Sequence, residues 1–132
     1  MAGTDKRRLS AFANIGDLSP QQIWEGVVGR AVHTERMTFG LIELDPGAVV
    51  PEHAHEPEQV GILLAGSMTF TIGGETKTVG PGGTWAILAN VPHSVEAGAE
   101  GAVAFEIFSP IRGDWHHIES GEPRTPRWPP PG

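Results

Sequence analysis

Cysteine is absent from this chain of 132 residues, and its absence excludes both a disulfide framework and a thiolate site. A metal ion would therefore have to be held by nitrogen and oxygen ligands. Basic residues are scarce as well: nine Lys and Arg stand against 16 Asp and Glu, which gives a net charge of −7. Because nucleic-acid binding needs a basic surface, we expect no nucleic-acid partner.

Long apolar runs are also lacking. No stretch reaches the roughly 20 apolar residues that a membrane-spanning helix needs, so no membrane partner is expected. The first ten residues include Lys6, Arg7 and Arg8 but no apolar run behind them. We therefore predict no signal peptide and a cytoplasmic location.

The residues that are abundant favour short strands joined by tight turns. The chain has 18 Gly and 12 Pro, and 39% of its residues are hydrophobic, which is enough for the core of one domain. Apolar and polar residues alternate over residues 67–72 and 102–108, as they do in half-buried strands. Gly73-Gly74 is a hairpin signal. The pattern predicts an all-β fold, either a sandwich or a barrel.

The chain divides into three predicted segments: an N-terminal arm over residues 1–18, a barrel over residues 19–118 and a Pro-rich tail over residues 119–132. The run Ser19-Pro20-Gln21-Gln22 has the residue types that begin helices. We therefore expect a short N-terminal helical turn that continues through Trp24.

The tail contains five prolines, which exclude it from a helix or the interior of a sheet. Two outcomes remain open for it. Disorder is the more common one, and the alternative is an extended strap that docks, through Trp128, on the barrel or on a partner subunit.

The most informative feature of the sequence is its histidines. His53 and His55 are two residues apart, and alternate residues of an extended strand point the same way, so the two side chains share one face. His93 follows the segment Asn90-Val-Pro on a distant part of the chain. Neutral imidazole is the commonest metal ligand. These three histidines therefore predict one divalent metal ion inside a small β-barrel.

Gln59 lies four residues after His55, and its side-chain amide has a neutral oxygen that a metal ion could bind. Three imidazoles and one neutral amide leave the metal's +2 charge uncompensated, which makes it a stronger Lewis acid and favours a small anionic substrate. A carboxylate, the usual ligand of iron oxygenases, could come instead from Glu58. Glu58 faces away on a regular strand unless a bulge turns it inward, so we favour Gln59. Such a nitrogen-rich site prefers Zn or Ni over Mn or Fe.

Glu106 is the candidate catalytic carboxylate. It shares its parity with Phe108, and with Ala102 and Ala104, so all four side chains can point into the barrel. Burying a lone carboxylate is costly, and two explanations remain open. One is a salt bridge with Arg112, and the other is a general acid/base role beside the metal.

On these residues the sequence resembles a cupin. In this family's first motif two histidines and a glutamate stand between glycines, and the second motif ends in a histidine. The matching residues, with glutamine in place of glutamate, are Gly47, His53, His55, Gln59 and Gly66 for the first motif and, more loosely, Pro81, Gly83 and His93 for the second. The resemblance implies a double-stranded β-helix, or jelly-roll barrel, with one metal ion held by the three histidines and a carboxylate, in whose place this chain has Gln59. It also implies a homodimer formed by strand exchange.

A narrower resemblance is to the pectin-degradation proteins, which convert 4,5-unsaturated uronate monosaccharides to their linear keto form. The Asp, Phe and Arg of that group are matched at the same spacing by Glu106, Phe108 and Arg112, with Glu in place of Asp. The resemblance implies that Arg112 pairs with the substrate carboxylate, Phe108 packs against the sugar and Glu106 transfers the proton. The longer Glu side chain changes that geometry, and misplacement by about 1 Å can cost on the order of a hundredfold in rate.

Two other classes of function are compatible with the same residues. The first is another metal-dependent enzyme, either a polyketide-type cyclase or an Fe(II) dioxygenase that acts on a small organic molecule. The second is a non-enzymatic module that binds a small acid. Such a module would leave its ligand unchanged and would not need Glu106.

Overall fold

The computed structural model describes residues 10–131 and contains eight antiparallel strands. The strands are β1 (Gln21–Trp24), β2 (Val27–His33), β3 (Thr38–Leu44), β4 (Val49–His53), β5 (Glu58–Ile72), β6 (Glu75–Val79), β7 (Thr84–Ile87) and β8 (His93–Ser109). Two short 3-10 turns lie at Ile15–Asp17 and Gly113–His117. Over this range no helix has the length and apolar character needed to cross a membrane.

The two longest strands, β5 and β8, organise the barrel because each takes part in two layers. The second half of β8 pairs with β3 and with the first half of β5, and β2, β1 and β7 extend this layer. The first half of β8 pairs with β4 and with the second half of β5, which also pairs with β6. This arrangement confirms the all-β jelly-roll barrel that the resemblance implied.

Two glycines allow the long strands to pass from one layer to the other. Gly66 in β5 and Gly101 in β8 have φ angles of +81° and +74°, in the left-handed region that glycine adopts without strain. A Cβ atom on Gly66 would overlap the carbonyl group of Gly101. The passage of β5 and β8 from one layer to the other therefore requires glycine on both strands.

The core lies between the two layers and is built from alternate residues of the strands. On β8, Ala102, Ala104, Glu106 and Phe108 are buried and line the interior. Of the residues between them, Val103 is buried on the other face, beside Glu43, and Ile107 is exposed. This confirms the predicted parity and places Glu106 in an interior that is mostly apolar. A carboxyl group in such surroundings needs hydrogen-bond partners.

The helical turn predicted through Trp24 is wrong. Residues 21–24 form β1, which pairs with β2, and the side-chain amide of Gln21 donates to the carbonyl groups of Trp115 and Ile118. These long-range contacts outweigh the local helix-start signal. An N-terminal helical turn does exist, but at Ile15–Asp17, where the side chain of Asn14 accepts a hydrogen bond from the backbone of Gly16. Residues 1–9 of the predicted arm lie outside the described range.

The C-terminal tail is an extended strap docked on the outer surface of the barrel. The Glu43 carboxylate on β3 accepts a hydrogen bond from the Arg124 guanidinium at 3.4 Å and from the Arg127 backbone N–H at 2.7 Å. The Arg127 guanidinium donates to backbone carbonyl groups of β3 and β8, and the Trp128 ring contacts the Phe105 ring. Docking, one of the two outcomes expected for the tail, is what the described residues show.

Glu43 also pairs with Arg30 at 3.1 Å, and both side chains are almost completely buried. Removing one partner of a buried ion pair leaves an uncompensated charge. We therefore expect Glu43→Ala to lower the free energy of unfolding by about 3–5 kcal/mol, measured by urea denaturation. The exposed Glu52→Ala is the control, with an expected change within about 0.5 kcal/mol. Equal stability of the two variants would contradict the structural role of Glu43.

Candidate metal centre

The three histidines singled out in the sequence meet at one end of the barrel. His53 ends β4 and pairs across the ladder with His93, which begins β8. His55 follows in the loop before β5, and its carbonyl group accepts a hydrogen bond from the backbone N–H of Asn90. The ring centroid of His93 lies 4.3 Å from that of His53 and 4.8 Å from that of His55. One potential ligand atom from each ring lies within 4.8 Å of the others.

Backbone carbonyl groups hold the Nδ1 side of each ring. The carbonyl of Pro51 lies 2.9 Å from Nδ1 of His53, and those of Pro57 and Val91 lie 2.8 Å from Nδ1 of His55 and His93. Because a carbonyl oxygen only accepts, Nδ1 carries the proton and Nε2 is left with a free lone pair. Each ring is thereby oriented and set in the tautomer that binds metal through Nε2.

The free lone pairs fit a metal ion. Nε2 of His55 and Nε2 of His93 are buried and have no hydrogen-bond partner within residues 10–131, although buried polar atoms nearly always have one. Burial lowers the pKa of His93 to about 4. Burial, together with the positive charge of Arg112, also lowers the pKa of His55. Both rings are therefore neutral at neutral pH, the form required for ligation.

Gln59 faces the interior, and its neighbour Glu58 does not. Gln59 is 7% exposed, whereas Glu58 is exposed to solvent. The ladder between β5 and β8 is regular at these two residues, so no bulge turns Glu58 inward. The amide nitrogen of Gln59 donates to Oε2 of Glu106. This bond fixes the amide and leaves its oxygen as the end that could bind a metal.

Glu106 lies behind Gln59 in the interior of the barrel. Its Oε2 accepts a second hydrogen bond, from Nε1 of Trp85 at 2.8 Å. Burial raises the pKa of Glu106, and the hydrogen bonds from Gln59 and Trp85 oppose that effect only in part. A carboxyl group with a raised pKa that borders a cavity is suited to carry a proton.

The salt bridge considered between Glu106 and Arg112 is not among the ion pairs of the described residues. Arg112 pairs instead with Asp114, with Nε–Oδ1 and Nη2–Oδ2 distances of 3.1 and 2.9 Å, because both lie at the start of the same 3-10 turn. The Arg112 guanidinium lowers the pKa of Asp114. Nη1 of Arg112 takes no part in this pairing.

Arg112 is held by aromatic rings as well. The carbon at the centre of its guanidinium lies 4.8 Å from the Phe108 ring centroid and 4.7 Å from the Trp115 ring centroid. Its backbone N–H donates to the hydroxyl of Thr38. These contacts fix the guanidinium in one orientation beside the histidines, and Trp115 joins the site without having been predicted from the sequence.

Trp85, like Trp115, was not predicted from the sequence as a site residue. It is opposite Gly61 on β5, which is in turn opposite Glu106 on β8. A Cβ atom on Gly61 would lie only 2.5 Å from Cε2 and 2.6 Å from Nε1 of Trp85. The indole therefore passes over β5 where a side chain is missing, and its N–H reaches Glu106. The signal in the sequence for this contact was Gly61, a glycine inside an apolar strand.

His53, His93 and Arg112 border a cavity of about 50 Å³, as do Gln59 and Glu106. At about 10–15 Å³ for each water, that volume holds only a few water molecules. Eleven of the sixteen lining residues are apolar; the five polar ones are His53, Gln59, His93, Glu106 and Arg112. The interior can therefore receive the reacting end of a small molecule and offers it neutral nitrogen, carboxyl and guanidinium groups.

Residues 40–108, slightly more than half of the chain, match the family model of the Cupin domain. The matched segment includes all three histidines. The chain is a cupin. Comparison of the cupin with curated proteins gives no match.

Solved structures share the fold of this cupin. An RmlC-like cupin from Shewanella frigidimarina has a TM-score of 0.74 at 23% identity, covering 80% of this cupin and 95% of that chain. KdgF from Halomonas sp. has a TM-score of 0.73 at 24% identity, covering 80% and 97%. The polyketide cyclase RemF from Streptomyces resistomycificus has a TM-score of 0.67 at 23% identity, covering 77% and 80%. At these identities the likeness shows the fold, so the chemistry has to be argued from the site.

Proposed function

We propose that this cupin is a metal-dependent isomerase that converts a 4,5-unsaturated uronate to its linear keto form. The observation that carries the proposal is one small cavity that brings together His53 and His93 of the triad, the Glu106 carboxyl group and the Arg112 guanidinium. A uronate has a partner for each of them: hydroxyl groups for a metal held by the histidines, a mobile proton for Glu106 and a carboxylate for Arg112. The resemblance of the sequence to the pectin-degradation proteins supports this class of substrate.

His53, His55 and His93 would hold a divalent metal through Nε2, with the amide oxygen of Gln59 as the fourth ligand. Zn or Ni is favoured by affinity at three imidazoles, and Mn or Fe would also bind. When bound, the metal supplies Lewis acidity, which stabilises negative charge on a substrate oxygen.

The remaining residues bind the substrate and move a proton. Nη1 of Arg112, which Asp114 leaves free, would pair with the uronate carboxylate. Phe108 would cover the sugar and exclude water. Opening of the ring breaks its hemiacetal C–O bond and gives an aldehyde and an enol. Glu106 would accept the enol O–H proton and return a proton to the vinylic carbon, so that no atom is lost and no oxidant is needed.

A second candidate, a polyketide-type cyclase, is favoured by the aromatic lining of the cavity. Trp24, Phe70, Phe108 and Trp115 all border it, and flat aromatic substrates pack well against such rings. The small volume of the cavity favours the sugar acid, because a polycyclic substrate would have to remain largely outside.

Proton NMR of a 4,5-unsaturated galacturonate monomer tests the proposal directly. We expect the metal-loaded protein to accelerate loss of the vinylic signal, and chelation of the metal to abolish the acceleration. Arg112→Ala should raise KM by about 10- to 100-fold, since a charge-assisted hydrogen bond contributes about 1.5–3 kcal/mol. The exposed Arg36→Ala is the matched control and should behave as wild type. No acceleration with any of the four metals would refute the isomerase and leave the cyclase as the leading candidate.

A further inference from the structure

The cavity of the candidate metal centre reaches solvent beside Trp24. Thirteen of the sixteen described residues that line the cavity are buried. The three that are partly exposed are Ile23, Trp24 and His53. These three residues, which we call the mouth, therefore mark the place where a molecule enters the cavity from solvent.

An irregularity in β1 turns two consecutive side chains toward the mouth. Gln22 is opposite Val28 on β2 and Trp24 is opposite Val27, so the register shifts at Ile23. Neighbouring residues of a regular strand point to opposite faces, whereas Ile23 and Trp24 both line the cavity. β-bulges of this kind are common beside active sites, where they redirect a side chain. The bulge therefore gives the mouth a second apolar side chain that a regular strand could not supply.

Among the Phe and Trp residues of the described cavity lining, only Trp24 is partly exposed. Phe70, Phe108 and Trp115 border the same cavity but are at most 3% exposed. Trp24 packs against the core, and its ring centroid lies 5.4 Å from that of His53. The indole is thus held beside a candidate metal ligand while part of its surface stays accessible to a bound molecule.

The substrate proposed above is too large to enter the cavity completely. The cavity holds only a few water molecules, whereas a uronate has a pyranose ring, a carboxylate and several hydroxyl groups. Its carboxylate would lie inside, at Arg112, so part of the ring has to remain at the mouth. The C4–C5 double bond flattens this ring, and its C–H groups form an apolar face that suits a flat aromatic surface.

We propose that Trp24 is a substrate-binding residue whose indole stacks on the sugar ring at the mouth while the carboxylate lies in the cavity. The proposal rests on the isomerase function proposed above and adds the residue that holds the part of the substrate outside the cavity. Stacking covers one face of the ring and leaves the hydroxyl groups at its edge accessible. Because this contact is made equally before and during the reaction, Trp24 would contribute to binding and little to the chemical step.

Calorimetric titration of the zinc-loaded full chain tests the proposal without turnover. The ligand is the methyl glycoside of a 4,5-unsaturated uronate, which keeps the flat ring and the carboxylate but cannot open its ring. We expect Trp24→Ala to raise the dissociation constant by about 10-fold or more. Trp24→Phe keeps an aromatic face and should raise it by no more than about threefold. The matched control is Gln22→Ala, an exposed residue on the same strand, which should bind as wild type does.

Two further measurements separate contact with the substrate from support of His53. Titration of the metal-free chain with zinc should give Trp24→Ala the affinity of wild type. With the reactive monomer, Trp24→Ala should raise KM by about the same factor as the dissociation constant and leave kcat nearly unchanged. Far-UV circular dichroism checks folding, and Trp24→Leu, which keeps apolar bulk without the flat face, serves if Trp24→Ala is not folded.

The outcomes distinguish this proposal from the isomerase function. The proposal is overturned if wild type does not bind the glycoside, or if a folded Trp24→Ala or Trp24→Leu variant binds it as tightly as wild type. It is equally overturned if Trp24→Ala binds zinc more weakly than wild type, because Trp24 would then act through His53. If wild type binds the glycoside through Trp24 but converts no uronate, the isomerase function fails and the role of Trp24 is supported.

Discussion

Glu106→Gln is expected to lower kcat for uronate ketonisation by about 10²- to 10⁴-fold, the usual contribution of a general acid/base. Glutamine keeps the size of the side chain, and its oxygen can still accept hydrogen bonds from Gln59 and Trp85. It cannot carry a proton between oxygen and carbon. The rate is measured from the vinylic proton signal, and KM should change little because Arg112 and the histidines are unaltered.

Two measurements separate loss of the proton carrier from loss of the site. Metal stoichiometry by calorimetry should remain one per chain in Glu106→Gln, since the three histidines keep their orientation by backbone carbonyl groups. Glu58→Gln removes a carboxylate from an exposed neighbour of Gln59 and should be fully active. If Glu106→Gln retained full activity, Glu106 would not be the proton carrier. If it lost activity together with metal, its role would be to hold Gln59 in place.

Side-chain parity was the part of the site that the sequence could predict. Alternation along an extended strand is local, so it places Gln59 inside and Glu58 outside, and it turns Glu106 and Phe108 inward. The convergence of His53, His55 and His93 followed from the cupin motifs rather than from any local rule. The structure agrees with both expectations for position, and ligation of a metal stays a prediction.

Contacts between distant strands could not be predicted from the sequence. Local residue types also favoured a helix at residues 21–24. They form a strand because β1 pairs with β2, and nothing in the four residues themselves indicates that pairing. For a similar reason the sequence left open whether Arg112 pairs with Glu106. A salt bridge between Arg112 and Glu106 would neutralise both charges. In the structure Arg112 pairs with Asp114, two residues along the chain, and Glu106 accepts two other hydrogen bonds.

Composition alone could not decide between disorder and docking for the C-terminal strap. Five prolines exclude regular structure but not docking, and the residues that hold the strap are the arginines between them. Arg124 and Arg127 bind Glu43, whose burial cannot be deduced without knowing that β3 lies beneath the tail. The physical cause is a buried carboxylate that needs donors, and the strap supplies them.

Gly61→Ala is expected to lower both stability and kcat, although residue 61 has no polar side chain in the site. Its Cβ atom would overlap the Trp85 indole, and the indole cannot easily retreat because it packs against Phe70 at a centroid distance of 4.5 Å. Overpacking of this kind costs about 1–3 kcal/mol of stability. Displacing the indole N–H releases Oε2 of Glu106, and misplacement by about 1 Å should lower kcat on the order of 100-fold.

A double-mutant cycle with Trp85→Phe decides whether the indole transmits this effect. Phenylalanine lacks the N–H and the second ring, so it leaves room above residue 61. In that background Gly61→Ala should have a much smaller effect on kcat and stability than it has in wild type. Gly80→Ala is the control, since a Cβ atom there meets nothing within 4 Å. Strictly additive effects of the two substitutions would mean that Gly61 acts through the backbone of β5, and that the contact between Trp85 and Glu106 does not position the carboxyl group.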